Sequence, residues 1–161
     1  MKIIFFDIDG TLICGGSELM SESTKEAIRI ARANGHICMI NTGRTKRLVG
    51  KNLTGQVEFD GLLLGCGTEI EYHGKQLMHK TFSMEESKAI LAAMKKYHVD
   101  AVLEGSREDY APRGEEVFTE TFRHMAREIE NRKYDRYANA PGNYDKLYAY
   151  AETPAGMDGM K

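Results

Sequence analysis

The sequence predicts an α/β fold with a largely parallel sheet, and three features carry that reading. Strand and helix signals alternate along the chain. Short apolar runs end at turn residues, as buried strands do. The first of these runs, Lys2-Ile3-Ile4-Phe5-Phe6, passes directly into Asp7-Ile8-Asp9-Gly10-Thr11-Leu12. Open α/β sheets hold their ligands at the carboxyl ends of their strands, which is where these carboxylates fall. Two carboxylates so close together repel each other and favour a shared partner such as a metal ion.

The remaining elements follow in order. Ser23-Thr24-Lys25-Glu26 reads as a capping box, opening a helix with Ala27, Ile28 and Ala31 on one face and Gly35 at its end. His36-Ile37-Cys38-Met39-Ile40-Asn41 is a second buried strand, and Thr42-Gly43-Arg44 turns into a helix with Leu48 and Val49 inward. Asp60-Gly61-Leu62-Leu63-Leu64 is a third strand. Ile70-Glu71-Tyr72, the His73-Gly74 turn and the segment Lys75 to Lys80 form a hairpin.

Ser83-Met84-Glu85-Glu86 is another capping box, before a helix carrying Ile90, Leu91, Met94 and Tyr97. Val99 to Glu104 is a strand, Phe118, Phe122, Met125 and Ile129 form the core stripe of an amphipathic segment, and Lys146 to Ala151 is a last alternating strand. The boundary is expected near residues 80–84, giving units of 1–82 and 83–161.

Composition narrows the function classes. At 161 residues, 29% charged and 42% hydrophobic, the chain is globular and long enough for one ordinary domain with a small addition. A formal net charge of −2 without runs of one sign gives no reason to expect nucleic acid or a membrane surface as partner. The basic cluster Arg132-Lys133 with Arg136 is interleaved with Glu128, Glu130 and Asp135 and reads as a solvated helix face. No apolar stretch approaches the ~20 residues that span a bilayer. No signal peptide is evident at Met1-Lys2-Ile3, so a cytoplasmic location is expected. Cys14, Cys38 and Cys66 lack metal-ligand or disulfide spacing and are expected as buried thiols. The histidines do not cluster, and Gly65-Cys66-Gly67 lacks the third glycine of a dinucleotide loop.

Asp7-Ile8-Asp9-Gly10-Thr11-Leu12 resembles the DxDGT motif of the haloacid dehalogenase (HAD) superfamily, most of whose members are phosphohydrolases. The resemblance continues at residues 21–28, at Asn41-Thr42-Gly43-Arg44 and at Gly65-Cys66-Gly67-Thr68-Glu69-Ile70, where the Cof-type branch usually has an Asn-Gly-Ala-type turn. The Cof-type sugar-phosphate phosphatases, which carry a large α/β cap, are the nearest match. The resemblance implies a Rossmann-like core, here incomplete, over 1–82, with an α/β cap domain over 83–161.

It also implies roles. Asp7 would attack phosphorus and Asp9 would act as acid and base. Gly10 and Thr11 would shape the loop and, together with Thr42 and Gly43, bind the phosphate. Mg²⁺ would be held by the Asp7 carboxylate and the Asp9 backbone carbonyl. Arg44 would either touch substrate or stabilise its loop. In the cap, Glu104-Gly105, Asp109-Tyr110 and Arg113 are specificity candidates or solvated loop residues. The partner expected is a small phosphorylated metabolite.

The sequence also departs from the family. It has no late Gly-Asp-x-x-Asn-Asp string, and Met157-Asp158-Gly159 does not replace it. The family's lysine after the cap is missing as well. The sheet would then lack strands flanking the first one and leave an apolar edge open. A fragment with a missing C-terminal half is the preferred expectation, ahead of a homo-oligomeric short form or a chain completed by another. The leading functional reading is an Mg²⁺-dependent phosphohydrolase. The alternatives are a catalytically silent HAD-fold protein with a binding or assembly role, and another HAD reaction such as phosphomutation or dehalogenation.

Overall fold

The computed structural model describes residues 1–131 and 134–153, so Arg132, Lys133 and Met157-Asp158-Gly159 lie outside the described residues. The chain divides into two compact α/β units, Met1–Lys80 and Thr81–Lys161. Among the described residues no helix is long and apolar enough to cross a membrane.

The first unit runs β1 (Ile3–Phe6), α1 (Glu22–Ala33), β2 (Ile37–Asn41), α2 (Lys46–Thr54), β3 (Gly61–Leu64), β4 (Glu69–Tyr72) and β5 (Lys75–His79). Its sheet has the order β1-β2-β3-β4-β5. The first three strands are parallel, with Phe6 beside Ile40 and Asn41 beside Leu63, and β4 and β5 add an antiparallel hairpin. The hairpin turns at His73 and Gly74, both with positive φ (47° and 73°). Two such residues in succession match the right-handed twist of the flanking strands.

Helix α1 starts at Ser21, whose hydroxyl accepts the Thr24 N–H at 3.1 Å, so the cap lies two residues before the Ser23 box read from the sequence. Gly35, at φ 76°, lets the chain leave the helix in the left-handed region. Both helices cover one face of the sheet. Ile28 of α1 and Val49 and Leu53 of α2 form one core with Cys38, Ile40 and Leu64, against which Ile4, Phe6 and Leu62 pack. The opposite face carries Ile3 and Phe5, and no described helix of this unit lies on it.

A charge network centred on the nearly buried Asp60 ties α1 to the sheet. The Arg32 guanidinium grips the Asp60 carboxylate (2.9 Å) and Glu58 (2.7 Å), and the second Asp60 oxygen accepts the Cys38 N–H at 2.8 Å. Burial by itself would raise the Asp60 carboxyl, but the Arg32 and Cys38 hydrogen bonds outweigh it and hold it below the ordinary range. Of the three thiols only Cys38 is buried; Cys14 and Cys66 are exposed, which corrects the expectation for those two.

The second unit runs α3 (Met84–Tyr97), β6 (Asp100–Glu104), β7 (Asp109–Ala111), α4 (Glu120–Asn131), β8 (Asp135–Arg136) and β9 (Lys146–Tyr150), with sheet order β8-β7-β6-β9. The Ser83 box is real: its hydroxyl accepts the Glu86 N–H and the Glu86 carboxylate accepts the Ser83 N–H. Met94 packs with Ala101 and Leu103, while Phe122 and Ile129 of α4 pack with Val102, so the helices lie on opposite faces of this sheet. The fully buried Asp100 carboxylate accepts the N–H groups of Phe118 and Thr119 and the Thr119 hydroxyl, fixing where α4 begins. That tie explains why Phe118 precedes the helix although it shares the apolar stripe.

Two outcomes test this account. Ser83→Ala removes one side of the box and should cost about 1 kcal/mol in urea unfolding. Asp60 is depressed, so its contribution is present above the unfolded-chain value of about 3.9 and is lost as pH falls through the folded one. Asp60→Asn should therefore cost on the order of 2 kcal/mol at neutral pH. Near pH ~2 the variant and the parent chain should converge.

Candidate active site

The site begins with strand alternation. Ile8 is fully buried between the exposed Asp7 and Asp9, so burying the middle residue turns both acids toward solvent at the end of β1. The loop then closes on the Ile8 carbonyl, which accepts the N–H groups of Thr11 (3.3 Å), Leu12 (3.0 Å) and Ile13 (3.0 Å). Gly10, at φ 79°, makes the reversal possible, and its N–H returns to the Ile13 carbonyl at 2.9 Å. Leu12 and Ile13 are buried and pin the loop to the core.

The Thr42-Gly43 loop emerges beside it because β1 and β2 are parallel and in register to Phe6 and Ile40. Thr42 is buried; its N–H donates to the Leu63 carbonyl at 3.0 Å, and its hydroxyl accepts the Arg44 N–H at 3.1 Å. The Thr42 carbonyl accepts the Cys66 N–H and the Arg44 carbonyl accepts the Gly65 N–H, tying this loop to the one after β3. A Cβ on Gly43 would meet Cys66 Sγ at 3.4 Å, so the exposed thiol lies against the second loop. Thr45, the first residue before α2, is buried, and its hydroxyl has no partner among the described residues.

Arg44 joins the two loops. Its Nε donates to Asp9 Oδ2 at 2.9 Å and its Nη2 to Oδ1 at 2.6 Å, a bidentate pair, while Nη1 donates to the Leu48 carbonyl at 3.3 Å. The Arg44 guanidinium holds the Asp9 carboxyl below its ordinary value, and Asp9 raises Arg44 in return. The pair lines a polar recess of about 290 Å³ with Gly10, Cys14 and Ser17.

The structure thus brings Asp7, Asp9, Gly10 and Thr11 into one loop and Thr42 and Gly43 into its neighbour. Among the described residues Thr11 makes only backbone hydrogen bonds there. Among the described residues no donor reaches the Asp7 carboxylate or the Asp9 carbonyl. Two hard oxygen atoms without protein partners fit a hard cation such as Mg²⁺, supplying part of its coordination. The partner of Arg44 is not legible in the sequence, where a separation of 35 positions hides the pair. The specificity candidates of the second unit are mostly structural. Glu104, Asp109 and Tyr110 are buried, and a Cβ on Gly105 would strike the carbonyls of Asn143 and Glu108. Only Arg113 is exposed, and its guanidinium donates to the Tyr134 carbonyl.

With this geometry in hand, comparison with known proteins decides the family. The model of the haloacid dehalogenase-like hydrolases matches residues 4–156. The chain belongs to that family. No curated protein matches it by sequence. Among solved structures, this HAD-family chain is similar to a HAD phosphatase from Bacteroides thetaiotaomicron. The TM-score is 0.79 at 18% identity, covering 98% of this chain and 59% of that one. It is also similar to a HAD subclass IIB sugar phosphatase, with TM-score 0.73 at 20% identity and coverage of 99% and 62%. A haloacid dehalogenase-like hydrolase from B. subtilis gives TM-score 0.67 at 15% identity, with 98% and 64% covered. At these identities the likeness establishes the α/β HAD fold, and the chain spans about 60% of the length of these relatives.

The Arg44–Asp9 pair is directly testable. Arg44→Gln should raise the Asp9 carboxyl toward its ordinary value, followed by carboxyl-carbon NMR titration. Because Asp9 is largely exposed, global stability should change by no more than about 1 kcal/mol.

Proposed function

We propose that this chain carries the nucleophile loop of an Mg²⁺-dependent HAD phosphohydrolase acting on small phosphomonoesters of the sugar-phosphate class. In this reading residues 1–82 are the N-terminal part of the core and 83–161 the cap. The observation that carries it is the Asp7 carboxylate at the end of β1, without a partner among the described residues and two residues from an Asp9 gripped by Arg44. The family match supports the reaction class, and the printed description of one structural relative as a sugar phosphatase supports the substrate class.

Asp7 attacks phosphorus in line with the ester oxygen, and the leaving alcohol departs as an aspartyl-phosphate forms. A carboxylate suits this step because the acyl-phosphate it makes is readily hydrolysed. Asp9 gives a proton to the leaving oxygen and later takes one from the attacking water. To donate that proton Asp9 must first be released from the state in which Arg44 favours its anion. The Thr42 hydroxyl and the backbone of Gly43 hold phosphoryl oxygens beside Asp7. Bound Mg²⁺, held by the Asp7 carboxylate and the Asp9 carbonyl, would offset the repulsion between an anionic nucleophile and an anionic phosphate. The ligand is a small phosphorylated metabolite.

The test is Mg²⁺-dependent hydrolysis of p-nitrophenyl phosphate by the 161-residue chain. Asp7→Asn should abolish turnover, and Asp9→Asn should lower it by about 10²–10⁴-fold. Metal-dependent turnover undiminished in Asp7→Asn would overturn the proposal.

A further inference from the structure

A cavity that takes no part in the catalytic reading lies wholly within the second unit, between α3 and the segment 115–141. Its volume of about 480 Å³ falls among those of small-molecule sites, about 300–1,000 Å³. The floor is apolar. Met94 and Val99 are buried there, and Leu91 and the Tyr137 ring pack against the same cluster. The Tyr137 hydroxyl donates to the Ala101 carbonyl at 2.5 Å and accepts the Ala101 N–H at 3.0 Å, so Tyr137 offers the cavity its ring. Phe118 adds a second ring, fixed by the Asp100 carboxylate at its N–H and by the His98 ring 5.0 Å away.

The mouth carries both signs of charge. Lys95 stands in the last turn of α3, and Glu115 and Glu116 stand on the turn Gly114–Glu116. Glu116 accepts the Arg113 N–H, while the exposed side chains of Lys95 and Glu115 have no hydrogen-bond or ion-pair partner among the described residues. The walls come from residues 91–141, on the face of the sheet that α3 covers. The described end of the chain lies with α4 on the other face, where Tyr150 packs on Phe122 and the Glu152 carboxylate accepts the Glu120 N–H.

We infer that this cavity binds an amino acid with an apolar side chain, in its zwitterionic form. An acid alone at the mouth would select amines, and a base alone would select carboxylates. Unpaired groups of both signs above an apolar floor instead match a molecule with both charges at one end and an apolar body at the other. The ammonium meets Glu115 and Glu116, and the carboxylate meets Lys95. The side chain lies against Met94 and Val99, beside the Phe118 and Tyr137 rings, where an aromatic body gains ring contacts as well as burial. The site shares no residue with the Asp7 loop, and the inference is independent of the phosphatase reading.

The experiment is a ¹H–¹⁵N NMR titration of the 161-residue chain with L-phenylalanine, beside phenethylamine and 3-phenylpropionate, each of which lacks one of its charges. L-Phenylalanine should give saturable shifts gathered on residues 91–99, 114–118 and 137–141. Each single-charge probe should bind about tenfold more weakly, the size of one charged hydrogen bond. Lys95→Met should remove the preference over phenethylamine. Glu115→Gln with Glu116→Gln should remove the preference over 3-phenylpropionate, and a glutamine side chain still accepts the Arg113 N–H, so the turn keeps its cap. Ala138→Trp fills the cavity from an exposed wall position and should abolish the shifts. Signal dispersion in the same spectra reports folding. No saturable shift in the folded parent chain, shifts gathered elsewhere, or an unchanged order of the three probes in both charge variants overturns the inference.

Discussion

The burial of Ile8 is the constraint on which the candidate site depends. A strand side chain alternates between faces, so driving this one residue into the core forces Asp7 and Asp9 outward together. The carbonyl of the same residue then gathers the N–H groups of Thr11, Leu12 and Ile13. An otherwise irregular loop is thereby pinned from its side chain and its backbone at once. The parallel pairing of β1 with β2 carries this geometry sideways, bringing Thr42 and Gly43 to the same end of the sheet.

Electrostatics then separates the roles of two acids that look alike in sequence. Asp9 is held as an anion by a bidentate guanidinium, whereas the carboxylate of Asp7 meets no donor among the described residues. A partnered acid is restrained in position and disfavoured in its neutral form. An unpartnered, exposed one is open to a cation or to an electrophile. In the proposed phosphohydrolase reaction the unpartnered acid is the nucleophile and the partnered one handles protons.

Polar groups inside the protein do structural work elsewhere. Asp60 takes both an arginine and a strand N–H in the first unit, and Asp100 takes two N–H groups and a hydroxyl in the second. Each carboxylate joins elements distant in sequence and satisfies donors that would otherwise be buried alone. The Glu104–Lys146 pair, 2.9 Å apart and almost wholly buried, bridges neighbouring strands of the second sheet. Acids read as specificity loops from their sequence context are therefore drawn into packing.

The sequence by itself determined the elements whose cause is local. The apolar run into Asp7, the Ser83 box and the His73-Gly74 turn each depend on residues within a few positions, and each forms as written. The motif spacing likewise identified the family and the residues that gather at the strand ends. Only the tertiary structure decided the rest. The short strands β7 and β8 exist because neighbouring strands accept them, with too few residues to show a period. Ser21 displaces Ser23 as the cap of α1 because two neighbouring serines offer the same chemistry and the path of the chain chooses between them. Arg44 finds Asp9 through the parallel register of two strands, a contact across 35 positions that no local pattern encodes.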